Sequence, residues 1–362
     1  MKTPATIVTG FLGAGKTTLI RHLLQNAGGR RIALIVNEFG DLGVDGGILA
    51  GCGVEGCSDD DVVELSNGCI CCTVADDFVP AMEALLARPE PPEHIVIETS
   101  GLALPQPLVR AFAWPDLRTR VTVDGVVTVI DGPAVAAGTF AADAAAVDRQ
   151  RAADDGLDHE TPLSELYADQ VACADMIVVN KADLMEDADA LVARLRGEAR
   201  AGVQVVPATM GALPPEVLLG RAQGAEDDVA ARHEIHHHHH HHDDAEGHDR
   251  DHDHRHDHHH DADHGHDHGH DAFESFVVET PEPADPAALS DRIAAVIRAH
   301  GILRLKGFAS VAGKPMRLTV QAVGPRVDHY FDRPLGDDPR GARLVVIGRA
   351  GLDRDAIAAA LA

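Results

Sequence analysis

Short apolar runs recur along the first 210 residues, and stretches of helical length separate them. Each run is continuous and does not alternate with polar residues, which is typical of parallel strands covered on both faces. Six runs are predicted as buried strands: Thr6–Thr9, Ile32–Val36, His94–Ile97, Val126–Ile130, Met176–Val179 and Val203–Val206. The clearest helices between them are Lys16–Gln25, Phe78–Leu86 and Ala188–Ala201. This alternation predicts an α/β fold with a doubly wound, mostly parallel sheet over residues 1–225.

The composition changes abruptly near residue 225. Residues 226–272 contain 19 of the 24 histidines together with many aspartates, and they have too little apolar surface to offset the entropy of ordering. We therefore expect a disordered, metal-binding linker there. A second pattern follows, and it predicts a small α+β domain over residues 273–362. Its predicted elements are a strand at 276–279, a helix at 286–300, strands at 302–306, 317–323 and 344–347, and a helix at 353–361.

The chain is acidic, with 31 basic and 58 acidic residues and a formal net charge of −27. Nucleic acids and anionic membranes both attract positive charge, so this balance argues against either as a partner. No stretch approaches the roughly 18 uninterrupted apolar residues of a membrane span. The N-terminus shows no secretory pattern, and we expect a cytoplasmic protein.

A glycine-rich segment follows the first predicted strand and opens the first helix. Residues 10–17 match the phosphate-binding pattern G-x-x-x-x-G-K-[ST] in the strand–loop–helix context that it requires. Backbone N–H groups at a helix N-terminus favour anions, the lysine contacts the β- and γ-phosphates, and the threonine hydroxyl binds Mg²⁺. The residues predicted to hold a nucleotide's phosphates are Gly10, Gly13, Ala14, Gly15, Lys16, Thr17 and Thr18, with Lys16 also catalytic and Thr17 a Mg²⁺ ligand.

Two further strand ends carry candidate nucleotide contacts. Asn180, Lys181 and Asp183 form an N-K-x-D pattern, in which the aspartate can accept hydrogen bonds from both N–H donors of guanine. Glu98 is predicted as a catalytic residue that holds Mg²⁺ through water or orients the attacking water. Gly101 can present its backbone N–H to the γ-phosphate. Together these patterns predict a GTP site, whose hydrolysis we expect to be slow without a metal or a partner.

Three thiols stand within four positions at Cys69, Cys71 and Cys72. On an extended segment, Cys69 and Cys71 point to the same side and can chelate one ion. Thiolates suit Zn²⁺, Co²⁺ or Cu(I) better than Mg²⁺, and a further ligand is needed to complete a tetrahedral site. Buried, chemically inert cysteines are the alternative interpretation.

A loop is expected after the second strand, where a segment sensitive to the γ-phosphate belongs in this architecture. Glu38 and Asp45 lie in it and are candidate ligands for Mg²⁺ or another metal, although either could equally be a solvated loop acid. Cys52 and Cys57 follow in the same loop, where they could join a second site or be buried.

These motifs together resemble the CobW family of metallochaperone GTPases. The resemblance rests on residues 10–18, 37–40, 68–72, 98–101 and 180–183, and it extends to the C-terminal part through residues 301–308 and 343–348. It implies that Cys69 and Cys71 bind a cargo ion, with Cys72 close to the nucleotide. The likeness is greatest to the members associated with aerobic cobalamin biosynthesis, which implies Co²⁺ as cargo and the cobalt chelatase as client. Members linked to zinc homeostasis share the same motifs, so Zn²⁺ is the alternative cargo.

The histidine-rich segment 233–271 holds seven consecutive histidines at 236–242 and then His-Asp repeats. Neutral imidazoles and carboxylates at this density bind divalent ions weakly and exchange them fast. We expect a metal reservoir, with a linker of no specific function as the alternative.

The combined hypothesis is a GTPase in which the nucleotide state controls affinity for a transition metal. The alternative is a zinc-homeostasis or metal-buffering protein with incidental GTPase activity. The sequence leaves the oligomeric state open.

Overall fold

The computed structural model describes residues 2–37, 62–65, 78–153, 162–221, 224–227, 273–324, 326–336 and 338–362. The chain forms two sheets in this part of the sequence, one parallel and one antiparallel.

The first sheet has seven strands, and every neighbouring pair in it is parallel. The strands are β1 (Thr3–Thr9), β2 (Ile32–Asn37), β3 (Val62–Leu65), β4 (His94–Glu98), β5 (Val121–Asp131), β6 (Met176–Asn180) and β7 (Gln204–Pro207), in the spatial order β3-β2-β4-β1-β5-β6-β7. The α/β fold and all six predicted strands are confirmed. The four-residue strand β3 was not predicted, because it lies within a stretch that the sequence analysis assigned to a loop.

Helices cover both faces of this sheet. They are α1 (Lys16–Gln25), α2 (Val79–Leu86), α3 (Pro105–Ala111), α4 (Gly132–Ala136), α5 (Ala144–Ala153), α6 (Leu163–Cys173), α7 (Ala188–Glu198) and α8 (Pro215–Leu218). One face is packed by a cluster that includes Phe78 and Phe112, and the other by a cluster that includes Leu19 and Ile20. This two-sided burial explains why β4 and β6 are buried at every position and read as unbroken apolar runs.

The second sheet is antiparallel. The elements of this part are β8 (Phe273–Thr280), α9 (Pro286–His300), β9 (Arg304–Ala309), β10 (Met316–Val323), β11 (Arg326–Pro334), β12 (Ala342–Arg349) and α10 (Arg354–Leu361). The strands lie in the spatial order β11-β10-β9-β12-β8. The predicted α+β character is confirmed. Strand β11 was missed because nearly all of its residues are exposed and no apolar run marks it.

The two sheets contact each other through an apolar cluster and a few polar bonds. Leu303, which directly precedes β9, and Ile347 of β12 belong to the same buried cluster as Leu218 and Leu219. The Arg304 guanidinium donates to the backbone carbonyl of Glu216 at 2.7 Å and also to that of Leu219. The second sheet is therefore docked on the segment around α8.

Residues just before the histidine-rich segment are also fixed to the first sheet. A short 3₁₀ helix at Ala225–Asp227 brings the Glu226 carboxylate against β5, where it accepts hydrogen bonds from the Thr122 hydroxyl at 2.6 Å and the Val123 backbone N–H at 2.9 Å. The chain is thus anchored at residue 226 and again where β8 begins.

Buried charges are paired near the start of β6. The Asp175 carboxylate, 3% exposed as a residue, accepts from the Arg200 guanidinium at 2.6 Å and from the Val126 backbone N–H at 2.9 Å. Arg221 donates to the Asp175 backbone carbonyl at 3.0 Å. Burial lowers the pKa of Arg221 to about 10, and the Asp175 charge opposes that shift.

Asp175→Ala is expected to lower the free energy of unfolding by about 3–5 kcal/mol, because it leaves the Arg200 charge without its buried partner. Asp189→Ala is the matched control, since Asp189 pairs with Arg349 at 2.9 Å but is largely exposed. An exposed pair contributes only about 0–1 kcal/mol. Urea unfolding followed by circular dichroism measures both variants, and equal midpoint shifts would contradict the assignment.

Candidate functional site

The phosphate-binding loop joins β1 to α1, as the motif predicted. Gly10, Gly13 and Gly15 have φ values of 136°, 75° and 98°, in the region that favours glycine. A Cβ atom at Gly10 would lie 2.0 Å from the Val129 carbonyl oxygen, and one at Gly15 would lie 2.2 Å from the amide nitrogen of Asn180. Both glycines are therefore required by close approach as well as by backbone conformation.

Lys16 begins α1 and keeps its ammonium group at the loop. Its Nζ donates to the backbone carbonyls of Gly10 at 2.8 Å and Phe11 at 3.3 Å, and the residue is 7% exposed. The ammonium is thus held beside the loop, where a lysine of this motif contacts phosphates.

An aromatic cluster packs against Phe11 and anchors the phosphate-binding loop. The ring of Phe11 lies 5.8 Å from that of Phe140 and 6.4 Å from that of Tyr167, centroid to centroid. Phe11 is 3% exposed. Burial raises the pKa of Tyr167 to about 12, so this ring stays neutral. This anchor was not predicted, because Phe11 occupies a freely variable position of the phosphate-binding motif.

Thr17 and Glu98 meet at the end of β4. The Thr17 hydroxyl donates to the Glu98 Oε1 atom at 3.0 Å, and Glu98 is 5% exposed. Strand pairing accounts for this meeting, because Glu98 lies beside Val8 of β1, just before the phosphate loop. A hydroxyl and a carboxylate are the hard oxygen donors that suit Mg²⁺.

A turn at residues 99–103 continues from β4 beside the phosphate loop. The Thr99 backbone N–H donates to the Val8 carbonyl at 3.0 Å, which extends the pairing of β4 with β1. Gly101 is buried in this turn. The candidate contact for a γ-phosphate therefore lies next to the motif that would hold the other phosphates.

Asn180 braces the site and uses both ends of its amide to do so. Its Nδ2 donates to the Ala14 carbonyl at 2.9 Å, and its Oδ1 accepts from the Gly211 backbone N–H at 2.9 Å. Asn180 is 2% exposed. It therefore joins the phosphate loop to the loop after β7.

Lys181 is held by a residue that the sequence analysis did not single out. Its Nζ lies 2.5 Å from Oδ2 of Asp131, which is buried at the end of β5, and Lys181 itself has a left-handed φ of 59°. Asp131 also caps α4 by accepting from the Ala134 backbone N–H at 3.1 Å. The run Asp131-Gly132-Pro133 after a buried strand is the signal for this cap.

Asp183 lies in a 3₁₀ turn, Ala182–Leu184, and its side chain is exposed. The Ala182 backbone N–H donates to the Ala208 carbonyl at 3.0 Å, which fixes this turn to the loop after β7. The carboxylate is therefore presented to solvent from a fixed backbone, as a base-recognising aspartate requires.

Several predicted site residues lie outside the described residues. They are Glu38, Asp45, Cys52, Cys57, Cys69, Cys71, Cys72 and the histidine-rich segment 233–271. Cys173, which is described, is buried. Where the structure describes the chain, no group of three or more His, Cys, Asp or Glu side chains is arranged to hold a metal ion. No helix among the described residues is long and apolar enough to cross a membrane.

The fold and this site define a P-loop GTPase. Residues 4–207 match the family described as "CobW/HypB/UreG, nucleotide-binding domain", and residues 273–362 match "Cobalamin synthesis protein cobW C-terminal domain". The chain belongs to the CobW family, so the resemblance seen in its motifs is confirmed.

Curated relatives support this membership over nearly the full length. The chain is 54% identical to "Zinc chaperone CobW" of Sinorhizobium sp, over 99% of this chain and 96% of the relative. It is 52% identical to "Zinc chaperone CobW" of Pseudomonas aeruginosa, over 99% and 90%, and 31% identical to "Zinc chaperone YjiA" of Escherichia coli, over 95% and 93%.

Asp131→Asn is expected to weaken GDP binding about 5- to 20-fold, because the neutral amide no longer holds the Lys181 ammonium within the predicted guanine-recognition motif. Asparagine is also a good helix N-cap, so α4 keeps its cap and the effect reports on Lys181. Binding of a fluorescent GDP analogue measures the change.

Asp143→Ala serves as the control for loss of a cap, since Asp143 caps α5 by accepting from the Ala146 N–H at 2.8 Å. Wild-type affinity in Asp131→Asn, or an equal loss in Asp143→Ala, would refute the role of Asp131.

Proposed function

We propose that this chain is a GTP-hydrolysing metallochaperone that binds a divalent transition-metal ion at Cys69, Cys71 and Cys72 and delivers it to a client enzyme. The observation that carries the proposal is the position of β3. This strand ends at Leu65, four positions before Cys69, and pairs with β2 in the sheet whose carboxyl edge bears the phosphate loop.

The nucleotide side of the proposal rests on described residues. The phosphate loop and Lys16 bind the phosphates, Gly101 meets the γ-phosphate, and Asp183 recognises guanine, with Asn180 and Lys181 supporting that recognition. Thr17 and Glu98 would hold Mg²⁺, which neutralises charge on the phosphates when bound. Glu38, which lies outside the described residues, is a further candidate ligand.

Coupling to the metal follows from the order of the strands. Strands β3, β2, β4 and β1 are consecutive neighbours, so the carboxyl ends at Leu65, Asn37, Glu98 and the phosphate loop share one edge. The chain enters the cysteine-bearing segment from this edge. A γ-phosphate contact there can bias the segment that follows β3, a strand that lies two places from β4 in the sheet.

The cargo proposed from the sequence is Co²⁺, with the cobalt chelatase as client in the cytoplasm. Zn²⁺ is the alternative, and the relatives that carry the name zinc chaperone provide its support. Thiolate sites bind Zn²⁺ more tightly than Co²⁺, so raw affinity alone does not assign the cargo. The histidine-rich segment 233–271 would gather ions and pass them to the cysteines.

Metal affinity in the two nucleotide states tests the proposal. The full chain is titrated with Co²⁺ and with Zn²⁺ in the presence of GDP or a non-hydrolysable GTP analogue. We expect at least a tenfold difference in affinity between the two states for the cargo ion. Equal affinities would refute the coupling.

Two variants separate a chaperone from a metal buffer. A chain lacking residues 233–271 is expected to retain one tight site, and Cys69→Ala is expected to lose it. Cys173→Ala controls for removal of a thiol, since Cys173 is a buried cysteine of α6 that does not belong to the motif. Loss of all tight binding on deletion of the segment, with full binding in Cys69→Ala, would favour the buffer.

Glu98→Gln is expected to raise the Mg²⁺ concentration needed for half-maximal GTP hydrolysis several-fold, because the amide can still accept from Thr17 but carries no charge. Phosphate release measured across a Mg²⁺ titration gives this value. Nucleotide affinity in the absence of Mg²⁺ is expected to stay at the wild-type level. An unchanged Mg²⁺ requirement would remove Glu98 from the metal site.

A further inference from the structure

Helix α6 contacts both the phosphate-binding loop and the turn at residues 99–103, the two segments that would face the phosphates of a bound nucleotide. Through Tyr167 it touches Phe11 of the phosphate loop, and through Gln170 it touches the turn at residues 99–103. We propose that Gln170 is a positioning residue that fixes this turn for the γ-phosphate and thereby sets the preference of the protein for GTP over GDP. The inference rests on the proposed function, because it takes the Gly101 N–H as the γ-phosphate contact.

The Gln170 side chain is neutral, and its amide has one N–H donor for each of the two carbonyl groups that it faces in the turn. Its Nε2 donates to the Gly101 carbonyl and to the Ala103 carbonyl, each at 3.2 Å, and the residue is 1% exposed. Two carbonyl oxygens can only accept, and a primary amide supplies two N–H donors from one atom. An ionised glutamate in this position could satisfy neither carbonyl.

The bonds made by Gln170 continue into the peptide group that carries the Gly101 N–H. The Ala103 N–H donates to the Ser100 carbonyl at 3.2 Å, and this carbonyl lies in the same planar peptide as the Gly101 N–H. In a trans peptide the two groups point in opposite directions. Holding Ala103 therefore orients the Gly101 N–H away from the body of the turn.

Gln170 is itself fixed to the sheet. Its backbone carbonyl accepts from the Thr128 hydroxyl of β5 at 2.8 Å, and both residues are buried. Strand β5 pairs with β1, which leads into the phosphate loop. The Thr128 bond therefore stabilises the packing of α6 on the sheet, whereas the side-chain amide of Gln170 is the group that contacts the turn.

A diphosphate lacks the group that would reach Gly101, so loss of this positioning should affect GTP alone. Gln170→Met keeps the length of the side chain and removes both donors. We expect it to weaken binding of a non-hydrolysable GTP analogue about 5- to 10-fold, as for one or two net hydrogen bonds, and to lower kcat. GDP affinity should stay within about twofold of wild type.

The matched control is Thr128→Val, which removes a buried hydrogen bond to the same residue and leaves the Gln170 amide in place. It is expected to lower thermal stability but to preserve the ratio of GTP-analogue to GDP affinity. Fluorescent nucleotide binding to the full chain measures that ratio for each variant.

Gln170→Glu provides a second test, in which the same variant is measured at several pH values. Its carboxylate faces two carbonyl oxygens and cannot donate, whereas the protonated acid can donate to one of them. We expect the affinity ratio of this variant to rise as pH falls from 8 to 6, beyond any change that wild type and Gln170→Met show over the same range.

The role of Gln170 would be overturned by any one of three results. These are a wild-type ratio of GTP-analogue to GDP affinity in Gln170→Met, an equal loss of that ratio in Thr128→Val, or a ratio that does not change with pH in Gln170→Glu. Failure of the proposed function looks different. In that case metal affinity would be the same in both nucleotide states while the Gln170 variants still changed the ratio.

Discussion

The side-chain amide of Asn180 is the interaction on which the site depends. It joins the phosphate loop at Ala14 to the loop after β7 at Gly211, across a gap that only a glycine at position 15 leaves open. The backbone that continues from Asn180 places the next residues of the motif. The Lys181 side chain lies against Asp131, and the Asp183 side chain is exposed to solvent. One buried amide thus aligns the parts that would meet the two ends of a nucleotide.

The elements that depend on residues close together in the sequence could be predicted from it. Helix Lys16–Gln25 has the predicted ends, because a glycine turn starts it and the apolar spacing continues to its last turn. Strand Val62–Leu65 and strand Arg326–Pro334 escaped prediction, since one is four residues long and the other is almost wholly exposed.

Contacts between residues far apart in the sequence could not be predicted from it. Asp131 reaches Lys181 across 50 positions, and Gln170 reaches Gly101 across 69. Neither pair shares a motif or a helical repeat, so only the strand order brings its members together. The motifs therefore located the site, whereas the residues that hold its parts in place became visible only in the fold.

The described residues on either side of the histidine-rich segment are both held to folded parts of the chain. Glu226 is bound to β5, and β8 starts a sheet that is docked on the first one through Arg304 and Leu303. A single proteolytic cut between residues 228 and 272 would therefore leave two fragments that remain associated, in the manner of a split protein. The length and composition of residues 228–272 can accordingly change in evolution without disconnecting the two folded parts.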